Sequence, residues 1–466
     1  MKAQPEITQA HLIEALKETR ARTLELVHDL SEAQLMGPRL EIVNPLRWEI
    51  GHVAWFQEFW ILRHLGGQPP ILKHGDELYD SARVAHDTRW DLPLLERDET
   101  LAYMGRVLER VIEQASHADR SLTDANGYDE KYFLNLVLLH EQMHDEAFTY
   151  TRQTLSYPPP VIGGAGKQAD SRVGLNNMQL GEQNDPFAQT DALLTVDAEI
   201  PGGRFTLGSA YEQGFVFDNE QLAHQVEIAP FAISKTAVTN GEFKHFVEDG
   251  GYRRGELWGA EGCQWRTAVG AEHPVYWRRE ENDRWLRRNF EEWVELDERL
   301  PVIHVNWHEA DAYCRWVGRR LPTEAEWEMA ASSEPAADGR DLTTHKGAFP
   351  WGDNSPTVDR ANLDSRAMGC IAVDALPAGD SAFGCRQMIG NVWEWTASDF
   401  QPYPGFVAGP YKEYSAPWFG DHKVLRGGCW VTRSSLIHNS YRNFYPPDRR
   451  DVWAGFRTCA LQTQEK

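Results

Sequence analysis

Apolar residues return every three to four positions through most of residues 8–155, the spacing of helices that bury one face. Ile13, Leu16, Leu24, Leu26, Val27 and Leu30 mark a first helix, and Ser31 with Gln34 reads as a capping box for a short turn behind it. A second helix is expected from about Pro45 to Leu65, stopped by Gly66-Gly67, and a third over about 97–117. A fourth runs over about 129–156 and ends at Pro158-Pro159-Pro160. Four amphipathic helices of this length predict an antiparallel bundle. The connection over 67–95 is longer than a bundle turn needs, so it is expected to cover a site.

Beyond Pro158 the pattern changes. Residues 158–197 are rich in Pro, Gly, Asn and Gln and read as an extended connector. Short alternating stretches follow, such as Gly203–Gly208 and His224–Ala229, separated by long loops rich in Gly and Trp. Two helices are expected inside this region, near 239–249 and 307–318. The run from Arg278 to Arg299 mixes both charge signs and reads as a solvated surface segment. The chain therefore divides into 1–157, the connector 158–197, and 198–466, and no internal repeat is apparent. The expected class is α+β.

Composition narrows the function. Length (466 residues) suits two or three domains, and 41% hydrophobic with 25% charged residues suits a packed core. A net charge of −23 repels phosphate backbones and anionic lipid, which argues against nucleic-acid and membrane partners. No run of 18 apolar residues occurs and the first residues lack the regions of a signal peptide, so a cytoplasmic protein is expected. The six cysteines are scattered without a CxxC pair and read as buried free thiols. Most of the 18 tryptophans follow residue 250, as suits a loop-rich domain stapled by side chains.

His140-Glu-Gln-Met-His144 carries the sharpest chemistry. Histidines at i and i+4 share a helical face and can reach one metal. Alone, this is the H-E-x-x-H pattern of zinc proteases, and two surface histidines are the bland alternative. His52, on an apolar stretch of the second helix (Trp48-Glu-Ile-Gly-His52-Val-Ala-Trp-Phe56), offers a third ligand from a facing helix. The further downstream ligand of a zinc protease is lacking; Glu146 stands there before the Pro-rich break. Three neutral imidazoles leave coordination positions open, for water on zinc or for substrate and dioxygen on iron(II). Ligand type alone does not separate the two.

Six ordered motifs fill the second half: Pro230–Phe243, Pro301–Trp307, Arg320–Glu328, Gly390–Thr396, Leu425–Trp430 and Gly455–Arg457. Together they closely resemble the formylglycine-generating-enzyme (sulfatase-modifying factor) domain, a loop-rich variant of the C-type lectin fold. That domain serves enzymes and non-catalytic relatives alike. Its copper-binding cysteine pair is not matched, since Cys429 stands where Ser is usual and Thr432 and Ile437 stand near the thiol positions. With the helical front half added, the whole chain resembles the ergothioneine-biosynthesis sulfoxide synthases (EgtB), a DinB-like four-helix bundle followed by such a domain. The resemblance implies that His52, His140 and His144 bind iron(II), with Glu146 part of the motif but not a ligand. It implies oxygen-dependent bonding of a chalcogen to the imidazole carbon of hercynine (trimethylhistidine). It places Tyr403, in Tyr403-Pro-Gly-Phe406, as a proton or electron donor, with Phe406 near the substrate. Asn443 and Phe444 would meet the trimethylammonium group, Phe444 through its ring face. A loop tyrosine closing a turn is the plainer reading of Tyr403.

The donor is addressed by departures from that pattern. Sulfoxide synthases using γ-glutamylcysteine carry Trp-Asp after the asparagine and an arginine four residues later. Here the order is Asn443-Phe444-Tyr445-Pro-Pro-Asp-Arg449, so Tyr445 replaces the acid that pairs with the donor's ammonium, while Arg449 is kept. Met143 stands where a hercynine-binding glutamine is common, and Arg83 and Arg89 in the 67–95 connection are candidates for an anionic donor. Loss of the acid points to a donor without an α-ammonium or to one held differently, and the loop is similar to that of the selenoneine-synthase branch, which joins hercynine to a selenosugar. Cysteine or γ-glutamylcysteine as donor is the alternative. A zinc hydrolase with Glu141 as base and a non-enzymatic lectin-like module are the competing classes. Oligomeric state is not legible in the sequence.

Overall fold

The computed structural model describes residues 8–116, 122–163, 196–210, 215–339 and 341–461. The chain divides into two compact units, one of Met1–Arg152 with Pro158–Thr195, the other of Gln153–Tyr157 with Val196–Lys466. Most of the connector expected over 158–197 lies outside the described residues.

The described part of the first unit is helical. Its elements are α1 (Gln9–Val27), a short α2 (Glu32–Met36), α3 (Leu46–Gln57), α4 (Gly75–Tyr79), α5 (Arg97–Ser116) and α6 (Glu130–Thr154). The capping box of Ser31 and Gln34 is present in full. α1 buries Leu12, Leu16, Thr19, Arg20, Thr23, Leu26 and Val27, so its inner stripe mixes polar and apolar residues, and the expected core residue Leu24 is instead exposed. α3 continues as a π-helix over Glu58–Leu65, a widened turn that is uncommon and often marks functional helices. Gly51 has a steric reason. A Cβ there would lie 2.2 Å from the ring of Tyr79, so only glycine lets the 67–95 connection lie this close to α3.

In the second unit, α7 (Asn240–Glu248) and α9 (Trp307–Val317) match the two expected helices. α8 (Ala260–Val269) and α10 (Glu324–Ser332) are additional. One sheet of four strands runs in the order β1 (Asp197–Ile200), β4 (Phe231–Ser234), β15 (Cys459–Ala460), β8 (Arg319–Arg320). Another runs β13 (Asn443–Tyr445), β12 (Lys423–Arg426), β11 (Trp393–Asp399), β14 (Ala454–Gly455), with β11 and β14 parallel. Smaller sheets pair β2 (Gly203–Leu207) with β3 (His224–Ile228), and β9 (Ser333–Pro335) with β10 (Leu342–Lys346).

The charge-rich run from Arg278 is not simply a solvated segment. It forms a three-stranded meander of β5 (Trp277–Arg279), β6 (Trp285–Asn289) and β7 (Glu292–Glu295). Trp277, Trp285, Leu286 and Arg288 are buried, while Arg278, Arg279, Glu292 and Glu295 stay exposed, so the meander is half-buried.

Buried charge staples the core of this unit. Arg426 pairs with Glu328 and Glu324, and Arg442 pairs bidentately with Glu324 at 2.7 and 3.2 Å. Arg457 makes a fork on Glu394, which also accepts the Trp327 indole N–H. Such paired, hydrogen-bonded charges tolerate burial. Of the free cysteines, Cys314, Cys385, Cys429 and Cys459 are buried, and Cys263 and Cys370 are partly so. Among the described residues, no helix is long and apolar enough to cross a membrane.

Candidate metal centre

Two helices of the first unit bring three imidazoles together. His52 stands on α3, and His140 and His144 stand one turn apart on α6. One potential ligand atom from each falls within 4.8 Å of the others, and the ring centroids are 4.6–5.1 Å apart. Rings at that spacing are near enough for small side-chain shifts to bring all three onto one ion. Among the described residues this is the one cluster of three or more potential ligands so placed.

Hydrogen bonds fix two of the rings. His52 Nδ1–H donates to the Tyr79 carbonyl at 2.8 Å, and His144 Nδ1–H donates to Glu49 Oε1 at 3.2 Å. Each bond selects the tautomer that leaves Nε2 with its lone pair for an ion. Trp48 stacks on His52 with centroids 4.8 Å apart, and Phe56 stacks on His140 at 3.6 Å. His52 and His140 are buried, whereas the His144 side chain keeps 18% exposure and gives the cluster its accessible side. Burial, reinforced by the neighbouring His144, drives the pKa values of His52 and His140 well below the usual histidine value. Both rings are therefore neutral, the form in which imidazole binds metal. The residues present fit a three-histidine metal ion.

The same geometry disposes of Glu141 as a base at that ion. Its carboxylate is fully buried and accepts from Arg20 (2.7 and 3.2 Å), Gln57 (2.6 Å) and Thr23 (2.8 Å), a knot joining α1, α3 and α6. Glu146 is buried on α6 as well. Met143, beside His144, is half-buried.

The 67–95 connection packs onto the cluster. Leu78 and Tyr79 carbonyls accept from Trp48 and His52. Arg89 is buried over the Trp48 ring at 3.8 Å and donates to Asn44 Oδ1 (2.6 Å) and the Val84 carbonyl (3.3 Å). Its guanidinium is thus engaged inside the bundle. Arg83 is exposed beside Asp80 at 3.1 Å. Glu49, Asn44 and Tyr79 do not stand out in the sequence; a carboxylate three residues before His52, on the same helical face, is the signal that was available.

The other expected residues lie in the second unit. Tyr403 is buried, its hydroxyl donating to Glu324 Oε1 at 3.1 Å and its ring under the Arg442 guanidinium at 4.1 Å. Burial, with the Glu324 charge adding to it, raises the pKa of that hydroxyl well above the usual value. Phe444, on β13, stacks on Phe400 with centroids 4.0 Å apart, within a cluster that includes Tyr414 and Phe419. Phe406 meets the edge of Phe419 at 5.1 Å. Asn443 turns its Oδ1 back to the Phe444 N–H at 2.9 Å. Arg449 forms a two-pronged pair with Asp451 and lies over the Tyr445 ring at 5.5 Å.

Comparison with known proteins agrees with this architecture. A family model described as the sulfatase-modifying factor enzyme 1-like domain matches residues 183–461, and one of the DinB superfamily matches residues 15–147. A hercynine oxygenase of Mycolicibacterium thermoresistibile is 35% identical over 458 residues, 96% of this chain and 94% of the relative. One of Mycolicibacterium smegmatis is 34% identical over 97% of this chain and 99% of its own length. One of Mycobacterium tuberculosis is 35% identical over 97% and 98%. With both domains matched and this identity sustained from end to end, the chain belongs to the hercynine oxygenase family of enzymes.

Proposed function

We propose that this enzyme uses iron(II) and dioxygen to bond a chalcogen to the imidazole carbon of hercynine, and that its donor is a selenosugar, as in a selenoneine synthase. The observation that carries the metal reading is the convergence of His52, His140 and His144, with Nε2 left open on two rings by the bonds to Tyr79 and Glu49. Bound there, iron(II) supplies the redox chemistry that passes the electrons released by C–H to C–Se exchange to dioxygen. The protein's own part is to keep the imidazoles neutral, fix their tautomers, and exclude water from two of the three rings by burial. Asn443 and Phe444 are assigned to the trimethylammonium of hercynine, whose cationic head suits an aromatic cluster. Met143 is assigned to the substrate side of His144.

The donor reading rests on Arg449 and Tyr445. The Arg449 charge is already matched by Asp451, and the neutral Tyr445 ring lies beside it. A donor lacking an amino-acid head group suits such a lining better than one carrying an α-ammonium and carboxylate. The sulfur reading, cysteine or γ-glutamylcysteine giving a sulfoxide, is favoured by a different observation: the relatives matched end to end are named hercynine oxygenases. Arg83, exposed beside Asp80, is the remaining arginine assigned to an anionic donor.

One assay tests both levels. Purified enzyme loaded anaerobically with iron(II) is mixed with hercynine, air and either 1-selenoglucose, cysteine or γ-glutamylcysteine, and products are identified by mass spectrometry. A hercynine–selenium adduct as the main product supports the selenosugar. Sulfoxide alone moves the assignment to sulfur and leaves the metal reading standing. No oxygen uptake with any donor removes the reading as a whole.

A further inference from the structure

We propose that Glu49 is a positioning residue for His144, and that Asn44, anchored by Arg89, holds the Glu49 carboxylate in place. The proposal rests on the reading of the three histidines as a metal centre, and goes beyond it by assigning a chain of residues that aims one ligand. The chain is continuous. Arg89 Nη1 donates to Asn44 Oδ1 at 2.6 Å, Asn44 Nδ2 donates to Glu49 Oε1 at 3.2 Å, and that same oxygen accepts from His144 Nδ1 at 3.2 Å.

Burial makes the arrangement informative. Glu49 is 2% exposed, and its second oxygen has no hydrogen-bond partner among the described residues. A buried carboxylate so incompletely satisfied is costly as a packing residue. It becomes economical when its charge meets an imidazole whose far nitrogen carries a cation, because the hydrogen bond then strengthens and the ring is held in one orientation. The position on α3 supports this. Glu49 and His52 are one turn apart on a single face, so the face that supplies one ligand also supplies the partner of another on α6. Arg89 touches both arms, through Asn44 on the His144 side and through the Trp48 ring, which stacks on His52. The bland alternative is electrostatic: an acid in the first turn of α3 stabilises a helix N-terminus whatever lies nearby.

Co(II) binding to the full-length protein, followed by visible absorption, separates the two. Wild type should bind one Co(II) per chain. Glu49→Gln, nearly isosteric, should bind roughly tenfold more weakly, and Glu49→Ala roughly 10- to 100-fold more weakly, with altered absorption bands as His144 loses its fixed orientation. Asn44→Ala should weaken Co(II) binding in the wild-type background, by less than Glu49→Ala, and should add little to Glu49→Ala, because it acts through that carboxylate. Melting of the metal-free variants reports the fold separately. Glu49→Gln and Glu49→Ala that melt lower but bind Co(II) with wild-type affinity and bands would overturn the proposal in favour of the helix-terminus role. Additive losses in the double variant would overturn the link through Asn44. A wild-type protein that binds no Co(II), or His144→Ala that binds it normally, would instead remove the metal reading beneath it.

Discussion

Glu141 follows directly on His140, yet a helical step of about 100° turns its carboxylate from the imidazoles to Arg20, Gln57 and Thr23. Glu141→Ala leaves the buried Arg20 guanidinium without its counter-charge, an uncompensated burial worth about 3–5 kcal/mol. The expected result is a large loss of stability in urea denaturation with metal stoichiometry of the folded fraction kept. Peptidase activity that vanishes in Glu141→Gln while the fold holds would reinstate the hydrolase reading. Tyr403 poses the reverse question, because the resemblance implies catalysis while the structure shows a buried hydroxyl donating to Glu324. Glu324 keeps Arg426 and Arg442 as donors when the Tyr403 hydroxyl is removed, so Tyr403→Phe should cost only about 1 kcal/mol of stability while lowering kcat at least about tenfold with the metal kept. A kcat per folded molecule equal to wild type would leave the hydroxyl a purely structural donor to Glu324. Both cases turn on side-chain direction, which residue order alone leaves open: the His140/His144 spacing was legible because i and i+4 must share a face, whereas the Glu49 partner of His144 comes from another helix.

Among the elements, the 67–95 connection is the one whose anchoring governs the metal cluster, since it supplies Tyr79 and Arg89. Asp76 pins it to α3 and its π-helical continuation, accepting from Arg63 at 2.6 and 2.9 Å and from the Trp55 indole at 2.8 Å. The Arg63 hydrogen bonds, against the opposing effect of burial, lower the Asp76 pKa to about 2 from an ordinary 3.8. A folded-state pKa below the unfolded one adds stability that is present above the unfolded value and lost as pH falls through the folded value. The shift corresponds to about 2 kcal/mol at neutral pH, about half of it gone by pH 3. Asp76→Asn should therefore cost about that much in urea denaturation at pH 7, and the gap to wild type should narrow as pH falls from 4 toward 2; a gap independent of pH would show that the ion pair is not its source. The long helices were legible because a period near 3.6 repeats over five or more turns. Even so, α1 buries Arg20 and Thr23 in place of Leu24, as tertiary partners on α6 override the hydrophobic count. The meander of β5–β7 was hidden because charged residues are interleaved with its buried ones without regular alternation and its strands are three to five residues long. α10 announces itself only through Thr323 and Glu326, a capping box that sits inside a motif read for resemblance rather than for structure.

For the molecule as a whole, the division into two units has a thermodynamic consequence. All three candidate ligands, together with Glu49, Asn44, Tyr79 and Arg89, belong to the first unit, whose interior is tied by the Arg20–Glu141 knot. The second unit has its own core, closed by Arg426, Arg442 and Arg457 on buried glutamates. The split into a helical and a loop-rich half was legible from the change of pattern near Pro158; the buried arginine staples were not, because an arginine in a loop motif reads the same whether it faces water or a glutamate. An ion that binds only the folded first unit stabilises that unit by RT ln(1 + [L]/Kd), about 2.7 kcal/mol at a hundredfold excess over Kd. Differential scanning calorimetry of the full chain should therefore show two transitions, of which Co(II) raises one. Hydrogen exchange should assign the raised transition to α3 and α6. His140→Ala should abolish the shift and leave the other transition in place, since the second unit's staples do not involve the ion. If Co(II) moves both transitions equally in wild type, the units unfold as a single cooperative body and the ion's free energy is shared between them, contrary to a stability that resides separately in each core.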